Sequence, residues 1–345
     1  MKSYNNLWDS FISKENFEIA CHNSQLGKKW QKQVKEFNKD YEGNLEKVRQ
    51  LVISGQFHTS KYKTKKIYEP KERTIYKLPY CPDRIVQHAI MNVLKPILLS
   101  KFMLNSYACI EGRGQLKAGN KCAEYVRKYD YCLKCDISKF YPSINQHILS
   151  EMLHKVVKDK KFMTIVDDII FSYKGGYNCP IGNYCSQWFG NFYLTRLDNY
   201  VLHTLKCGAY ERYCDDFMLF SNDKRYLKDC KEKIETFLKE ELELQFSKAE
   251  VFNVKQGVDF CGYRYFKKYP LLRKSTAKRL KRRFKAIDRQ LTSGEFDIER
   301  IAGQLASANG LLKHGKCYNL RKSIGYYEKV EVINGLRNAN NNRAD

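Results

Sequence analysis

The stretch that decides the fold is Ala209–Ser221, with the sequence AYERYCDDFMLFS. Apolar and aromatic residues flank an adjacent pair of carboxylates, Asp215 and Asp216. Short apolar runs on both sides of a polar break are typical of a β-hairpin, and they place the aspartates at its turn. Carboxylates surrounded by hydrophobic strands are costly unless a positive charge lies beside them. The stretch therefore predicts either a solvated turn or a cation site.

A second carboxylate, at the end of another predicted strand, favours the cation site. In Tyr131–Ile144, YCLKCDISKFYPSI, Asp136 ends an apolar strand and precedes a turn rich in aromatic residues. Two-metal phosphoryl transfer requires carboxylates on neighbouring strands, where one Mg²⁺ activates the attacking hydroxyl and the other stabilises the leaving pyrophosphate. The sequence Tyr213–Asp216 resembles the Tyr-x-Asp-Asp signature of reverse transcriptases, and Asp136 precedes it in the order that this family shows.

The composition indicates a polyanionic partner. The 345 residues include 62 Lys and Arg against 38 Asp and Glu, a net charge of +24 that is spread along the chain. This excess favours nucleic acid, with a generic basic protein as the alternative. The sequence has no apolar run of about 18 residues and no hydrophobic signal core at its N-terminus, which predicts a soluble, cytoplasmic protein without a membrane partner.

The 13 cysteines have irregular spacings. Cys132 and Cys135 form a C-x-x-C pair inside the predicted strand before Asp136, where residues three apart face opposite ways and cannot chelate zinc. We interpret the cysteines as reduced core residues of a cytosolic protein.

The resemblance to reverse transcriptases extends over residues 60–265 by motif. It implies an α+β fold of the right-hand polymerase type, with fingers, a palm that contains a small antiparallel sheet, and a helical thumb. The implied divisions are an N-terminal helical segment (1–60), fingers (61–130), a palm (131–265) with a fingers-type insertion at about 150–178, a basic helical thumb (266–337) and a disordered tail (338–345).

The same resemblance implies RNA-directed DNA synthesis, in which a primer 3′-hydroxyl attacks the α-phosphate of a dNTP. The implied catalytic residues are Asp136, Asp215 and Asp216. Together with Ile137, they are the implied ligands of two Mg²⁺ ions, for which Mn²⁺ can substitute.

Further positions match the blocks that surround the incoming nucleotide in this family. The basic stretch Lys61–Arg84 suits a clamp on the triphosphate, with Lys71 and Arg73 as candidates, or is a solvated charged hairpin. Tyr141 occupies the place of the aromatic steric gate, which excludes a 2′-hydroxyl from the sugar, or is a core aromatic residue at a helix start. Lys248 matches a lysine near the departing pyrophosphate, or is a surface lysine.

The block Lys174–Leu197 departs from most of the family. Most reverse transcriptases have Gln directly before the glycine of this block, whereas this chain has Ile181 before Gly182, followed by Ser186 and Gln187. This pattern resembles the reverse transcriptases of diversity-generating retroelements, which copy a template-repeat RNA with errors at adenines. Because an apolar side chain cannot make the hydrogen bonds that penalise mispairs, we expect Ile181 to lower fidelity. Candidate nucleotide contacts in this block are Ile181, Gly182 and Gln187.

Glycine-rich and basic segments supply the candidate contacts to nucleic acid. Arg113 and Lys117 lie in a glycine-rich loop that leads into a helix, and a plain surface loop is equally compatible with them. Val258–Tyr265 resembles the hairpin that holds the primer end, with Gly262 permitting close backbone approach.

The stretch from Lys267 to Arg289 is rich in Lys and Arg and contains a single acidic residue. It predicts a basic helix with an apolar stripe at Leu280, Phe284 and Ile287, which follows a phosphate backbone as a thumb. The candidate contacts here are Arg273, Lys274, Lys278 and Arg282.

The subfamily is open between two functions. A diversity-generating enzyme would work with a structured template RNA, dNTPs, the cDNA–RNA hybrid and a small basic accessory protein. The alternative is an antiphage defence reverse transcriptase that copies a dedicated non-coding RNA. By resemblance, both are bacterial or phage-encoded and cytoplasmic. A third possibility, a non-catalytic RNA-binding or maturase-like protein, is disfavoured by the intact set of three aspartates.

Overall fold

A computed structural model of the protein describes residues 3–68 and 72–341. Its helices are α1 (Trp8–Ile12), α2 (Lys14–Gln25), α3 (Lys32–Phe37), α4 (Tyr41–Ile53), α5 (Ile85–Leu99), α6 (Gln115–Lys128), α7 (Phe140–Ser143), α8 (Gln146–Val156), α9 (Lys160–Ile170), α10 (Ser186–Tyr193), α11 (Thr195–Asn199), α12 (Lys224–Leu242), α13 (Lys274–Ser293), α14 (Ile298–Leu312), α15 (Tyr318–Ser323) and α16 (Tyr326–Asn341). Its strands are β1 (Lys63–Ile67), β2 (Arg73–Lys77), β3 (Tyr131–Ile137), β4 (Tyr210–Tyr213), β5 (Asp216–Ser221), β6 (Phe246–Asn253), β7 (Val258–Phe260), β8 (Tyr263–Tyr265) and β9 (Pro270–Leu272). Within these ranges, no helix has the length and apolar character needed to cross a membrane.

The strands form three small sheets. β1 pairs with β2 in an antiparallel hairpin, from Lys63 opposite Lys77 to Ile67 opposite Arg73. β4, β5, β3 and β6 form a four-stranded sheet in that order, and β7, β8 and β9 form an antiparallel sheet of three strands. The protein is thus a mixed helix and sheet structure, as the sequence predicts. The strand order places β3 and β5, which carry the two aspartate motifs, side by side.

The chain divides into two compact units. The first contains the described residues up to Gly112, together with Lys134–Met218 and Lys228–Ala249. The second contains Arg113–Leu133, Leu219–Leu227 and the described residues from Glu250 onward. Each unit combines segments that are distant in sequence, so the boundaries of fingers, palm and thumb stay predictions.

The core of the first unit is built around α5. This helix is apolar on nearly its whole circumference, as expected of a helix that is buried on all sides. It packs against α2, whose Phe17, Ala20 and Cys21 are fully buried. The amide of Asn16 donates to the Ala89 carbonyl at 3.1 Å and connects the two helices. The helical character predicted for the N-terminal segment is confirmed.

The second unit contains the basic helix α13. Leu280, Phe284 and Ile287 are buried, and this confirms the apolar stripe that the sequence predicts. Most of the Lys and Arg side chains of this helix are exposed on its other faces. Strand β9, directly before the helix, was not predicted.

Two expectations need correction. Helix α16 continues to Asn341, so the predicted disordered tail does not begin at residue 338. The remaining tail residues, 342–345, lie outside the described part of the chain. The cysteines are free, and Cys132 and Cys135 are buried as expected, but Cys81 and Cys109 are exposed and do not belong to the core.

Candidate active site

The turn between β4 and β5 carries the aspartate pair. β4 ends at Tyr213 and β5 begins at Asp216, so the turn residues are Cys214 and Asp215, and the predicted hairpin is confirmed. Cys214 has a φ of 59°, a left-handed conformation that costs a non-glycine residue about 1–2 kcal/mol. Nη1 of Arg212 donates to the Cys214 carbonyl at 3.0 Å, and a hydrogen bond from a charged group contributes about 1.5–3 kcal/mol. Arg212 therefore stabilises the turn.

Arg212 is itself held by a buried charge pair. Its guanidinium and the Asp198 carboxylate are fully buried, and Nε and Nη2 each donate to a carboxylate oxygen at 2.7 Å. Nη1 also donates to Oδ1 of Asn191 at 3.1 Å, and the Tyr210 hydroxyl donates to Asp198 at 2.6 Å. Burial alone would lower the pKa of the guanidinium, but the charge and hydrogen bonds of Asp198 raise the pKa of Arg212 above its ordinary value. The arginine therefore stays charged beneath the turn.

Asp215 and Asp216 lie where negative charge is disfavoured. Burial raises the pKa of Asp215, and the charge of Asp136 raises it further. Burial also raises the pKa of Asp216 to about 6, against the opposing charge of Lys134. Nζ of Lys134 donates to Oδ2 of Asp216 at 3.2 Å, whereas Oδ1 is buried without a hydrogen-bond partner among the described residues. A cation beside these carboxylates would offset their mutual repulsion.

Asp136 is oriented by the neighbouring strand β6. The hydroxyl of Ser247 donates to Oδ2 of Asp136 at 2.6 Å and lies 3.1 Å from the Asp136 carbonyl oxygen. The start of β6 is fixed by the backbone N–H of Ser138, which donates to the Gln245 carbonyl at 2.8 Å. Ser247 thus holds the carboxylate that ends the predicted strand.

The donor set fits a divalent cation. Hard divalent cations prefer carboxylate and carbonyl oxygens, and the three aspartates supply carboxylates on the adjacent strands β3 and β5 and their turn. The Ile137 side chain is buried, so only the backbone oxygen of this residue could bind a cation. No group of three or more His, Cys, Asp or Glu is already arranged around a cation position within residues 3–68 and 72–341. Cation binding therefore requires the carboxylate side chains to move towards a common position.

Tyr141 lies beside the aspartate turn. It belongs to α7, and its hydroxyl is 3.6 Å from Sγ of Cys214. Burial raises the pKa of Tyr141, so the phenol stays neutral. A Cβ atom at Gly190 of α10 would lie 3.0 Å from Cε1 of Tyr141 and 3.1 Å from Cε1 of Phe140. The absence of a side chain at Gly190 thus leaves room for both rings.

The basic hairpin β1–β2 contacts the block that contains Ile181. The backbone N–H of Tyr76 donates to the Ile181 carbonyl at 2.8 Å. Gly182 has a φ of 129°, and a Cβ atom there would overlap the Tyr76 carbonyl oxygen, so this close approach requires glycine. Arg73 is exposed on the same hairpin, and its charge opposes the rise in the pKa of Asp215. The structure therefore brings Ile181 and Gly182 against Tyr76, on the hairpin that also carries Arg73.

The remaining nucleotide candidates are either exposed or outside the described residues. Gln187 is exposed on α10, and Lys248 is exposed on β6 directly after Ser247. Lys71 lies outside the described residues. Sequence reasoning selected Lys248 but missed Ser247, Lys134 and the buried pair. The signal that could have revealed the pair is an arginine in a short strand between aromatic residues, because a buried guanidinium requires an acidic partner.

The candidate nucleic-acid residues belong to the second unit. Arg273, directly before α13, forms an ion pair with Asp259, so its positive charge is partly neutralised within the protein. Gly262 lies in the β7–β8 turn with a φ of 89° and open space at its Cβ position. Arg113 is half-buried directly before α6. The exposed candidates are Lys117, Lys274, Lys278 and Arg282.

A mixed helix and sheet protein with carboxylates on adjacent strands has the arrangement that metal-dependent phosphoryl transfer requires. The particular family follows from sequence comparison: the family described as "Reverse transcriptase (RNA-dependent DNA polymerase)" matches residues 61–265, and the chain belongs to it. The protein is therefore an RNA-directed DNA polymerase. Its template is RNA, and enzymes of this family generally use divalent metal ions.

Individual relatives are distant. Protein YkfC of Escherichia coli (strain K12) is 23% identical over 281 residues, which cover 65% of this chain and 71% of YkfC. Nuclear intron maturase 1, mitochondrial, of Arabidopsis thaliana is 24% identical over 117 residues, 34% of this chain and 16% of the maturase. The structure of apo telomerase from Candida tropicalis gives a TM-score of 0.45 at 14% identity, over 60% of this chain and 47% of the telomerase chain. This chain thus spans a small part of the maturase and less than half of the telomerase chain.

Proposed function

We propose that this polymerase synthesises cDNA on a structured RNA template by two-metal nucleotidyl transfer, with Asp136, Asp215 and Asp216 as its catalytic carboxylates. The observation that carries the proposal is the pair of raised aspartate pKa values beside a buried carboxylate oxygen of Asp216 that has no hydrogen-bond partner within residues 3–68 and 72–341. When bound, Mg²⁺ or Mn²⁺ ions lower the pKa of the primer hydroxyl and stabilise the leaving pyrophosphate. Ile137 offers its backbone oxygen as a further ligand.

The surrounding residues of the chain hold the site in place. Arg212 supports the turn that contains Asp215, and Ser247 orients Asp136. Lys134 neutralises Asp216 until a cation replaces it. These contacts position the backbone of the turn and the Asp136 carboxylate before substrate arrives, while the carboxylates still adjust to the cations.

The proposed substrate contacts are the candidates that the sequence supplies. Arg73, whose charge reaches Asp215, binds the triphosphate together with Lys71. Tyr141 beside the turn excludes a 2′-hydroxyl, and Lys248 lies near the departing pyrophosphate. The other nucleotide contacts are Ile181, Gly182 and Gln187.

In the right-hand polymerase arrangement, the sheet β4–β5–β3–β6 is the palm and α13 opens the thumb. Lys274, Lys278 and Arg282 succeed one another at intervals of four residues on α13, so they present one row of positive charge to a phosphate backbone. Gly262 lies in the hairpin that holds the primer end. Arg113, Lys117 and Arg273 are the further contacts to nucleic acid.

The subfamily proposal rests on Ile181. This residue uses its backbone carbonyl to hold Tyr76 and offers an apolar side chain where most of the family has glutamine. Because the Ile181 side chain has no amide to form hydrogen bonds, discrimination between bases depends on shape alone. Shape discriminates less strongly than hydrogen bonding does. We propose errors at template adenines in a diversity-generating retroelement, with a structured RNA and a small basic accessory protein as partners.

The catalytic proposal is tested by primer extension on an RNA template with dNTPs and Mg²⁺. Asp215→Asn and Asp216→Asn should abolish synthesis while RNA binding, measured by fluorescence anisotropy, is retained. Asp229→Asn is the matched control, because Asp229 is an exposed carboxylate of α12 that pairs with Lys233. Synthesis by Asp215→Asn within about tenfold of the wild-type rate would contradict the assignment of Asp215, because loss of a metal ligand should cost several orders of magnitude.

The subfamily proposal is tested by deep sequencing of the same products. Errors concentrated at template adenines are expected, and Ile181→Gln should reduce them while Ile181→Leu should not. An unchanged error spectrum in Ile181→Gln would remove this residue from the fidelity argument. Faithful copying by the wild type, with strong preference for one co-encoded RNA, would favour the antiphage defence function.

A further inference from the structure

The segment Leu26–Lys35 presents an exposed tryptophan among lysines, and we call it the Trp30 surface. Trp30 is 73% exposed and Leu26 is 59% exposed. The segment contains no acidic residue. Its exposed lysines are Lys28, Lys29, Lys32 and Lys35. None of them forms an ion pair with any residue in the described part of the chain, so their charge is available to a partner.

The Trp30 surface is fixed at its base. Gln25 and Asn38 exchange two amide hydrogen bonds of 2.9 and 3.1 Å, and Gln25 also donates to the Tyr80 hydroxyl at 2.9 Å. The indole N–H of Trp30 donates to the Gly27 carbonyl at 3.1 Å. The ring is therefore held on the surface without being buried. A partner that stacks on it does not have to order the loop first, which lowers the entropic cost of binding.

The charge of one lysine of the Trp30 surface acts on His88, which packs against the block that contains Ile181. Burial, with smaller effects from the charges of Lys28 and Arg84, lowers the pKa of His88 to about 4. The His88 ring stacks on Tyr184 with ring centroids 3.9 Å apart and planes 7° from parallel. Tyr184 follows Ile181 by three residues, so the His88 ring, on which the charge of Lys28 acts, stacks on the block that contains Ile181.

We propose that the Trp30 surface binds single-stranded RNA, with a base stacked on the indole and phosphates beside the lysines. The inference rests on the proposed function, because a copying enzyme must hold template that has not yet been paired. Positive charge follows the backbone of a single strand, and an aromatic ring stacks on any base. A duplex offers no unstacked base, so the surface prefers single strands.

The first test is the affinity of the full-length protein for a labelled single-stranded oligoadenylate, measured by fluorescence anisotropy. Trp30→Ala should weaken binding roughly 5- to 150-fold, the range expected for the loss of one stacked base. Trp30→Phe keeps an aromatic ring and should retain most of the affinity. Affinity for a blunt RNA duplex should change little in either variant.

Tryptophan fluorescence gives a second measurement on the same proteins. The chain has three tryptophans, and Trp188 is buried. Oligoadenylate should quench the emission of the wild type because the exposed indole stacks on a base. In Trp30→Phe the quenching should disappear although binding persists. Quenching that persists in Trp30→Phe would place the stacked base elsewhere and overturn the proposal.

The lysines are tested by the salt dependence of binding. The variant with Lys28→Gln, Lys29→Gln and Lys32→Gln should lower the slope of log affinity against log salt by about 2, from about 0.7 for each lost contact to a single strand. The matched control changes three exposed lysines near the start of α9: Lys158, Lys160 and Lys161. Equal changes in both triple variants would show a general charge effect and overturn the proposal.

The test separates this inference from the proposed function. If Trp30→Ala has a native thermal transition and unchanged affinity for oligoadenylate, the proposal that the Trp30 surface binds RNA is wrong. The surface would then be a site for a protein partner. In that case loss of synthesis in Asp215→Asn still supports the catalytic proposal. If Asp215→Asn keeps full synthesis, the catalytic proposal fails whatever the Trp30 variants do.

Discussion

The buried pair of Arg212 and Asp198 gives the sharpest prediction. Asp198→Asn keeps the size of the side chain but removes the charge that compensates a guanidinium with no exposed surface. Breaking a buried pair by neutralising one partner costs about 3–5 kcal/mol, because the remaining charge is poorly solvated. We expect the free energy of unfolding to fall by that amount.

The contacts of the guanidinium explain this magnitude. Its two bonds of 2.7 Å both go to Asp198, whereas Asn191 and Cys214 offer only neutral oxygens at 3.1 and 3.0 Å. At about 2.1 cal/mol/K of unfolding entropy per residue, 1 kcal/mol shifts the Tm of this 345-residue chain by about 1.4 °C, so calorimetry should show a fall of roughly 4–7 °C. Primer extension well below Tm should also slow, because the carbonyl of Cys214 is no longer held in place.

Two further variants make the reasoning refutable. Asp229→Asn breaks an ion pair with Lys233 in which both side chains are 53% exposed, and it should leave Tm and synthesis unchanged within error. The double variant Asp198→Leu/Arg212→Met removes both charges, so it should recover most of the Tm but not the synthesis, since Cys214 lacks its donor. A Tm loss no larger than that of the control, or full synthesis in the double variant, would refute the reasoning.

Three other predictions follow from the site. Tyr141→Ala should raise ribonucleotide incorporation, whereas Tyr141→Phe should not, because the ring and not the hydroxyl excludes the 2′-oxygen; sequencing of alkali-cleaved products checks this. Since burial raises the pKa of Asp216 to about 6, the folded protein binds this proton more tightly than the unfolded chain. In EDTA, stability should therefore fall as pH rises from about 4 to about 6 and level off above, whereas Asp216→Asn should flatten this change. Added Mg²⁺ should accordingly raise Tm more at pH 8 than at pH 5, because the ion binds the carboxylate and competes with the proton. Gly182→Ala should destabilise the protein by about 2 kcal/mol or more, because its Cβ would overlap the Tyr76 carbonyl oxygen; an unchanged Tm would contradict that contact.

Local pattern was sufficient for much of the fold. The short apolar and aromatic runs on both sides of the aspartate pair predicted the β4–β5 hairpin, and the helical period of Leu280, Phe284 and Ile287 predicted the buried face of α13. These features depend on residues that are close in sequence within one element, so a local pattern encodes them. The motif order around Asp136 and Asp215 likewise predicted the family that residues 61–265 match.

The supports of the site were decided only by the tertiary structure. Ser247 reaches Asp136 because β6 lies beside β3, and Tyr76 meets Ile181 because the β1–β2 hairpin packs on that block. Each contact joins residues about a hundred positions apart, and a sequence pattern does not specify which strands become neighbours. Which strands become neighbours depends on the burial of whole strands and helices. The sequence by itself therefore determined the aspartate motifs and the class of chemistry. The packing of the sheet decided which side chains hold the aspartates in place.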